Sequence, residues 1–344
     1  MRNLNPDARC HPVCGRFGHA VLVGLAIALL AGGCSTLDPL NVRGLGKPPI
    51  RVAVARYEFA PTLFFLPKWS LLNDDLAQYL KEPVAFQLMT PRQIRVHMGT
   101  GRFKFALLAP EDYCEVASED NHRILAVPAD ARGQTHRRGM IVVGAKSPIH
   151  SLSELEGQRF HFLMEGDVLN EAALGALLEA GVVQTDLDKG ILGLGLDTHH
   201  ISSSEVVKSV VLEGKGAGVI DEADYEQWGK TDGLLVSPVP LPSQDQVRVI
   251  GRTVQVPNGP FLVSVHTSPE LTDKVREYLL NVVSDRKLKS GLVLGPMGYS
   301  RFVEPIDRSE YEPFFEIHRK LHPPEPQEGA GDDTAASSAD SGSQ

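Results

Sequence analysis

Short apolar runs alternate with helical patterns from Ile50 to Leu321, and this alternation restricts the possible folds more than any other feature of the chain. The run 50–55 is strand-like, whereas leucines recur at helical spacing over 69–80. Strands joined through helices pair in parallel, because a crossover helix returns the chain to the same edge of the sheet. The sequence therefore predicts an α/β fold made of βαβ units.

The same reasoning extends to the rest of the chain. The predicted strands are 50–55, 84–89, 105–108, 124–127, 140–143, 160–163, 217–220, 234–236, 247–253 and 261–265. The predicted helices are 69–80, 91–98, 111–117, 151–155, 169–180, 205–212, 269–284 and 308–321. The last two strands are expected to form a pair. No repeat of fixed period is present, which argues against a solenoid.

The composition is typical of a folded globular protein, because 42% of the 344 residues are hydrophobic and 22% are charged. Asp and Glu number 43 against 34 Lys and Arg, which gives a formal net charge of −9. The chain has no basic stripe of the kind that follows a phosphate backbone. Nothing in the sequence therefore indicates a nucleic-acid partner.

The N-terminus has the features of an export signal. Three arginines precede an apolar run over 20–31, which is shorter than the roughly 20 residues of a membrane-spanning helix. The Ala-Gly-Gly-Cys motif that ends at Cys34 resembles the lipobox of bacterial lipoproteins. We therefore expect residues 1–33 to be a signal peptide and Cys34 to carry the lipid. The alternative is an ordinary secretory signal with an incidental cysteine.

Cleavage at this motif determines the cysteine content of the mature chain. It removes Cys10 and Cys14, and lipidation uses Cys34, so only Cys114 keeps a free thiol. A disulfide framework within the chain is then impossible. We expect Cys114 to be a small buried hydrophobe.

Both ends of the mature chain are predicted to lie outside the folded part. Residues 34–49 are rich in proline and glycine, which favours a lipidated tether. Residues 322–344 form an acidic tail without large apolar side chains, and such a segment is expected to be disordered. The predicted location is the periplasmic side of the cell envelope, with a lipid on Cys34 anchoring the protein to a membrane.

An ordered set of stretches resembles the phosphate, phosphite and phosphonate family of ABC-transporter solute-binding proteins, also called the periplasmic phosphonate-binding type. The matching stretches are 50–55, 103–113, 141–160, 206–207, 213–215, 217–221 and 256–261. The resemblance implies a two-lobed periplasmic-binding-protein type II fold with two crossover hinge strands. It places 50–138 and 250–321 in lobe 1 and 139–249 in lobe 2, with the ligand held between them.

The anion-binding motif of the family is missing. Where the family has Ser-Thr-Ser-Gly at a helix N-terminus, this chain has Met-Glu-Gly-Asp-Val-Leu-Asn over 164–170. A carboxylate at the N-cap already satisfies the amides that a phosphonate would use. Residues 202–204 are three serines where the family pattern contains histidine. Phosphonate is thus only one possible ligand, beside a cationic, zwitterionic or neutral polar solute.

Nine residues are candidates for ligand contact, and several have an alternative structural role. The resemblance supplies Tyr113, Asp221 and Asn258, and the loop after the first strand supplies Tyr57 and Glu58. The two helix starts described above supply the other candidates: Asp167, Asn170, Ser202 and Ser203. Tyr113 is as well explained by core packing, and both aspartates by helix capping.

Two adjacent arginines stand near the first crossover. Arg137 and Arg138 either pair with a carboxylate of the cleft or face solvent in a turn. The second interpretation is favoured from the sequence.

No catalytic, cofactor or metal site is predicted. His199 and His200 beside Asp197, and His318 four residues before His322, have spacings that suit a metal. Neither pair has an evident third ligand, so surface histidines are favoured. Glycine-rich phosphate loops and nucleophile motifs are absent from the sequence.

The sequence therefore predicts a monomeric, non-enzymatic solute-binding lipoprotein without a cofactor. It would capture a small polar ligand, phosphonate-like or other, and deliver it to an ABC permease. The alternative keeps the fold and drops transport, leaving a sensing or interaction lipoprotein that binds another envelope membrane protein.

Overall fold

A computed structural model describes most of the chain from Lys47 onwards. The described residues are 47–55, 62–117, 120–187, 199–200, 202–214, 216–228, 242–285, 294 and 299–323. The predicted signal peptide, the lipid site at Cys34, most of the tether and most of the acidic tail lie outside these residues. So do Tyr57, Glu58 and the predicted strand 234–236. Among the described helices, none combines the length and the apolar character needed to span a membrane.

Strands and helices alternate as the sequence predicts. In chain order the strands are β1 (Ile50–Ala55), β2 (Val84–Met89), β3 (Phe105–Leu107), β4 (His122–Ala129), β5 (His136–Gly144), β6 (Phe160–Leu163), β7 (His199–His200), β8 (Ala217–Asp221), β9 (Val247–Pro257), β10 (Phe261–Ser264) and β11 (Arg301–Val303). The α-helices are α1 (Thr62–Leu80), α2 (Pro91–Gly99), α3 (Pro110–Val116), α4 (Val168–Glu179), α5 (Ser203–Glu213), α6 (Glu222–Gln227), α7 (Pro269–Glu277) and α8 (Glu312–Leu321). Helix α7 continues as a π-helical segment, Tyr278–Val282, and a short turn, Val283–Asp285.

The strands form two sheets. One has six strands in the order β11-β4-β10-β3-β1-β2, and the other has five in the order β7-β6-β8-β5-β9. Strand β1 pairs in parallel with β2 and β3, and β6 pairs in parallel with β7 and β8. The predicted parallel βαβ units are thus confirmed in both sheets. Strands β4, β5, β9 and β10 make antiparallel pairs.

Two connections carry the chain from one sheet to the other. The first lies between β4 and β5, and the second lies between β9 and β10. Strands 247–253 and 261–265 were predicted as a pair, but they belong to different sheets because β9 pairs along β5 instead. The predicted lobe boundaries near 138 and 250 fall inside β5 and β9. The division into lobes stays a prediction.

Local sequence explains where several helices begin. The side chain of Thr90 accepts a hydrogen bond from the Gln93 amide, and the side-chain carbonyl of Gln93 accepts one from the Thr90 amide, so α2 starts with a capping box and Pro91. Asp307 and Glu310 form the same device before α8. Helix α1 begins at Thr62, seven residues before the predicted start at Trp69.

The C-terminal helix α8 packs where the two halves of the chain meet. Its buried residues Phe314, Phe315 and Ile317 lie on one face. Helix α8 contacts α4, β9 and α3. Strand β9 belongs to the five-stranded sheet, whereas α3 follows β3 of the six-stranded sheet. The helix therefore links elements attached to both sheets.

Candidate ligand-binding cleft

A cavity of about 580 Å³ lies beside the two connections between the sheets. It is lined mainly by residues 130–138, residues 221–224, Gln255, Asn258 and Tyr299. This volume suits a small solute. We call it the crossover cavity.

Asn258 holds the two connections together. Its backbone N–H donates to the Thr135 carbonyl at 2.7 Å, and its side-chain amide donates to the Pro128 carbonyl at 2.9 Å. A Cβ on the next residue, Gly259, would lie 1.8 Å from the Leu108 carbonyl oxygen, so only glycine fits there. The backbone around the cavity is thus fixed by close contacts.

Two carboxylates cap the helices that point at this region. Asp167 is the N-cap of α4 and accepts a hydrogen bond from the Leu169 amide at 3.0 Å. Asp221 is the N-cap of α6 and accepts from the Ala223 amide at 2.9 Å. Each carboxylate occupies the place where a bound anion would meet helix amides. The capping alternative from the sequence is confirmed for both aspartates.

Arg137 connects these two carboxylates. Its Nε donates to Asp221 Oδ2 at 3.0 Å, and its Nη2 donates to Asp167 Oδ2 at 3.1 Å. Burial alone would lower the pKa of Arg137, but the charges and hydrogen bonds of the two aspartates raise it overall. The solvated-turn interpretation that the sequence favoured is therefore wrong for Arg137, and pairing with cleft carboxylates is correct.

Ser203 extends this group of polar residues. Its hydroxyl donates to Asp224 Oδ2 at 2.6 Å and accepts from the Asp221 amide at 3.1 Å. Desolvation raises the pKa of Asp224, although the hydrogen bond from Ser203 opposes this effect. Asp224 lines the cavity and was not among the candidates. Its position in the first turn of a helix after a buried strand is the signal that would have found it.

The chain matches a family model over most of its folded part. The model, described as "ABC transporter, phosphonate, periplasmic substrate-binding protein", matches residues 66–311. The chain belongs to this family. It is the periplasmic substrate-binding component of an ABC transporter, a type of protein that binds a small solute and works with a permease.

Solved structures show the same fold at low sequence identity. A Xanthomonas citri protein bound to ATP has a TM-score of 0.52 and 17% identity, covering 79% of this chain and 97% of that one. PhnD1 from Prochlorococcus marinus, in complex with methylphosphonate, has a TM-score of 0.52 and 15% identity, covering 80% and 99%. The predicted mixed α/β, type II periplasmic-binding-protein fold is confirmed by these matches.

The other candidate residues of this phosphonate-family protein occupy different environments. Tyr113 is only 2% exposed and packs edge-on against Tyr311, with ring centroids 4.9 Å apart. Asn170 donates to the carbonyls of Leu163 and Met164, so its amide group joins α4 to the end of β6. Both side chains are engaged in contacts within the protein.

The two serines before α5 also differ from one another. The Ser202 hydroxyl lies 2.9 Å from that of Ser204 and makes no capping hydrogen bond, whereas Ser203 is buried beside Asp221. The described geometry thus brings Asp167, Asp221 and Ser203 together around Arg137. The ligand-contact role of each candidate stays a prediction.

Proposed function

We propose that this protein is a monomeric lipoprotein, anchored through Cys34, whose crossover cavity binds a small polar solute carrying a positively charged group. The solute is then handed to an ABC permease. The observation that carries this proposal is the Arg137 bridge between Asp167 and Asp221. An anion entering there would compete with two carboxylates for one guanidinium.

The charges around the cavity support a cationic group in the solute. The lining contains five carboxylates and three arginines: Asp130, Asp221, Glu222, Asp224, Glu226, Arg132, Arg137 and Arg138. Arg132 already pairs with Asp130 at 3.1 Å, and Arg138 lies 3.9 Å from Glu222. The excess of carboxylates favours an amine or another cation in the solute.

Arg138 offers a separate donor for a polar group on the same solute. Its Nε is buried and has no hydrogen-bond partner within the described residues. A buried donor without an acceptor is costly, so a solute oxygen placed there would contribute a charge-assisted hydrogen bond. Together with the acidic lining, this donor suits a zwitterion better than a simple anion.

A matched pair of solutes tests the proposal. Methylphosphonate and 2-aminoethylphosphonate share the anionic group, and only the second carries an amine. We expect 2-aminoethylphosphonate to raise the melting temperature of the mature protein purified in detergent and methylphosphonate to have a smaller effect. A solute held at 100 times its dissociation constant adds about 2.7 kcal/mol to stability. Titration calorimetry then gives both affinities.

Two conservative variants make this test specific. Glu222→Gln removes one negative charge from the lining and is expected to weaken binding of the amine-bearing solute. Glu270→Gln removes an exposed carboxylate paired with Lys274 on α7 and serves as the control. Equal affinity for both solutes, unchanged in the Glu222 variant, would show that the cavity does not select the amine.

A second candidate function is sensing or interaction at the envelope without transport. It is favoured by the capping hydrogen bonds that Asp167 and Asp221 accept, because these satisfy helix amides at both N-termini without any solute. A screen of phosphonates, phosphate, amines and amino acids in which no solute changes the melting temperature would favour this candidate over transport.

A further inference from the structure

A second group of polar side chains lies away from the crossover cavity, between helices α4 and α8. His318 lies in the last turn of α8, His322 is the C-cap residue that follows this helix, and Glu171 lies in the first turn of α4. Glu171 Oε1 is 2.7 Å from His318 Nδ1 and 3.8 Å from His322 Nε2. The two imidazole rings have centroids 4.8 Å apart. One carboxylate therefore faces two histidines.

Close packing of the two helices explains how Glu171 reaches the histidines. Gly175 follows Glu171 by four residues, so both lie on the same face of α4. A Cβ at Gly175 would lie 2.5 Å from Cγ2 of Ile317, the residue next to His318. The missing side chain lets α8 approach α4 at this turn. The sequence showed no third ligand beside His318 and His322, but the fold supplies one.

We propose that Glu171, His318 and His322 bind a divalent transition metal ion, and that Zn²⁺ is the ion this group suits best. Two imidazole nitrogens and one carboxylate oxygen are a common zinc ligand set. One donor atom from each of the three residues lies within 4.8 Å of the others. Ligands at 2.0–2.1 Å on a tetrahedral ion are about 3.3 Å apart, so small side-chain rotations suffice.

Accessibility allows the ion to enter and leaves one position for water. The side chains of Glu171 and His318 are each 16% exposed, and that of His322 is 61% exposed. Solvent thus reaches the group from the His322 side. Mg²⁺ and Ca²⁺ prefer ligand sets made of oxygen, so two imidazoles select against them.

Metal binding would join the C-terminal helix to α4. In the metal-free group, the hydrogen bond between His318 and Glu171 makes this connection, and the exposed His322 adds little. A bound ion engages all three side chains at once and stabilises the folded state by its binding free energy. Zn²⁺ is therefore a structural ligand of the α4–α8 contact.

The experiment uses the mature chain in detergent after treatment with EDTA, titrated with ZnCl₂ in a calorimeter and in a thermal-shift assay. We expect one Zn²⁺ per chain and a higher melting temperature. His322→Ala is the decisive variant, because this exposed side chain contributes little to folding. It is expected to weaken Zn²⁺ binding by more than about tenfold. Glu171→Gln, which keeps the shape of the side chain, is expected to act in the same direction.

His150→Ala is the matched control, since His150 is exposed and its ring lies within hydrogen-bond distance of Arg248, away from the proposed site. It should bind Zn²⁺ as the wild type does, and MgCl₂ should produce no shift. Titration with Co²⁺ gives a second readout, because visible bands report four-coordinate geometry. The proposal is overturned if the wild type gives no Zn²⁺ isotherm, or if the His322 and Glu171 variants bind Zn²⁺ as tightly as it does.

Discussion

Replacing Arg137 tests the central feature of the cleft. Arg137→Ala removes both hydrogen bonds to Asp167 and Asp221 and leaves two carboxylates facing each other across the space. The Arg137 side chain is 35% exposed, against 20% for Asp167 and 15% for Asp221. These values place the group between a surface ion pair and a buried one.

The expected loss follows from this intermediate exposure. Exposed ion pairs contribute about 0–1 kcal/mol each, whereas removing one partner of a fully buried pair costs about 3–5 kcal/mol. Both carboxylates keep their capping hydrogen bonds from the helix amides, which limits the damage. We therefore expect Arg137→Ala to lower the free energy of unfolding by about 2 kcal/mol.

Urea unfolding followed by circular dichroism measures this loss as a lower midpoint with an unchanged slope. In the variant that also carries Asp167→Asn and Asp221→Asn, the facing charges are gone and asparagine still caps both helices, so most of the loss should be recovered. Arg276→Ala, at an exposed pair with Glu304, is the control. The reasoning is refuted if Arg137→Ala lowers the free energy of unfolding no more than Arg276→Ala does, or if the triple variant recovers none of the lost stability.

Three further outcomes are expected. Burial and the charge of Glu111 raise the pKa of Asp112 to about 8, so the contribution of Asp112 to folding stability falls as pH rises from about 4 to about 8. The stability of Asp112→Asn relative to wild type, measured by urea unfolding, should therefore increase over that range. Gly175→Ala should destabilise by about 1 kcal/mol, since its clash with Ile317 exceeds the helix-propensity gain, and Ile317→Ala should relieve this in a double-mutant cycle. Cys34→Ser should move the protein from the membrane fraction to the soluble envelope fraction on an immunoblot, because lipidation needs the thiol.

Elements with a clear local signal were predictable from the sequence. Strand β6 was predicted at its observed bounds, because three of its four residues, Phe160, Phe162 and Leu163, are large and apolar. The start of α1 was missed because Pro67 argues against a helix interior, yet the helix already begins at Thr62. The predicted pairing of β9 with β10 was wrong, because neighbours in sequence usually pair and these two strands flank a crossover.

The candidate cleft shows the same contrast between local signals, which were predictable, and long-range contacts, which were not. The capping roles of Asp167 and Asp221 were among the alternatives, because an N-cap depends on residues two or three positions away. The partner of Arg137 was not predictable, since the two ion pairs join residues 30 and 84 positions apart. Only the packing of α4 and α6 beside β5 brings those side chains within hydrogen-bond distance.

Helix α4 brings the cleft and the proposed metal site within about one turn of each other. Its N-cap, Asp167, pairs with Arg137, and Glu171 in its first turn pairs with His318. The third metal ligand could not be predicted from the sequence, because Glu171 and His318 are 147 positions apart. The ion pairs of Arg137 were missed for the same reason. Any shift of this first turn moves both carboxylates together. A change in Zn²⁺ binding caused by a variant at Asp167 therefore indicates a shift of α4 rather than direct contact with the ion. A change in solute binding caused by a variant at Glu171 has the same interpretation.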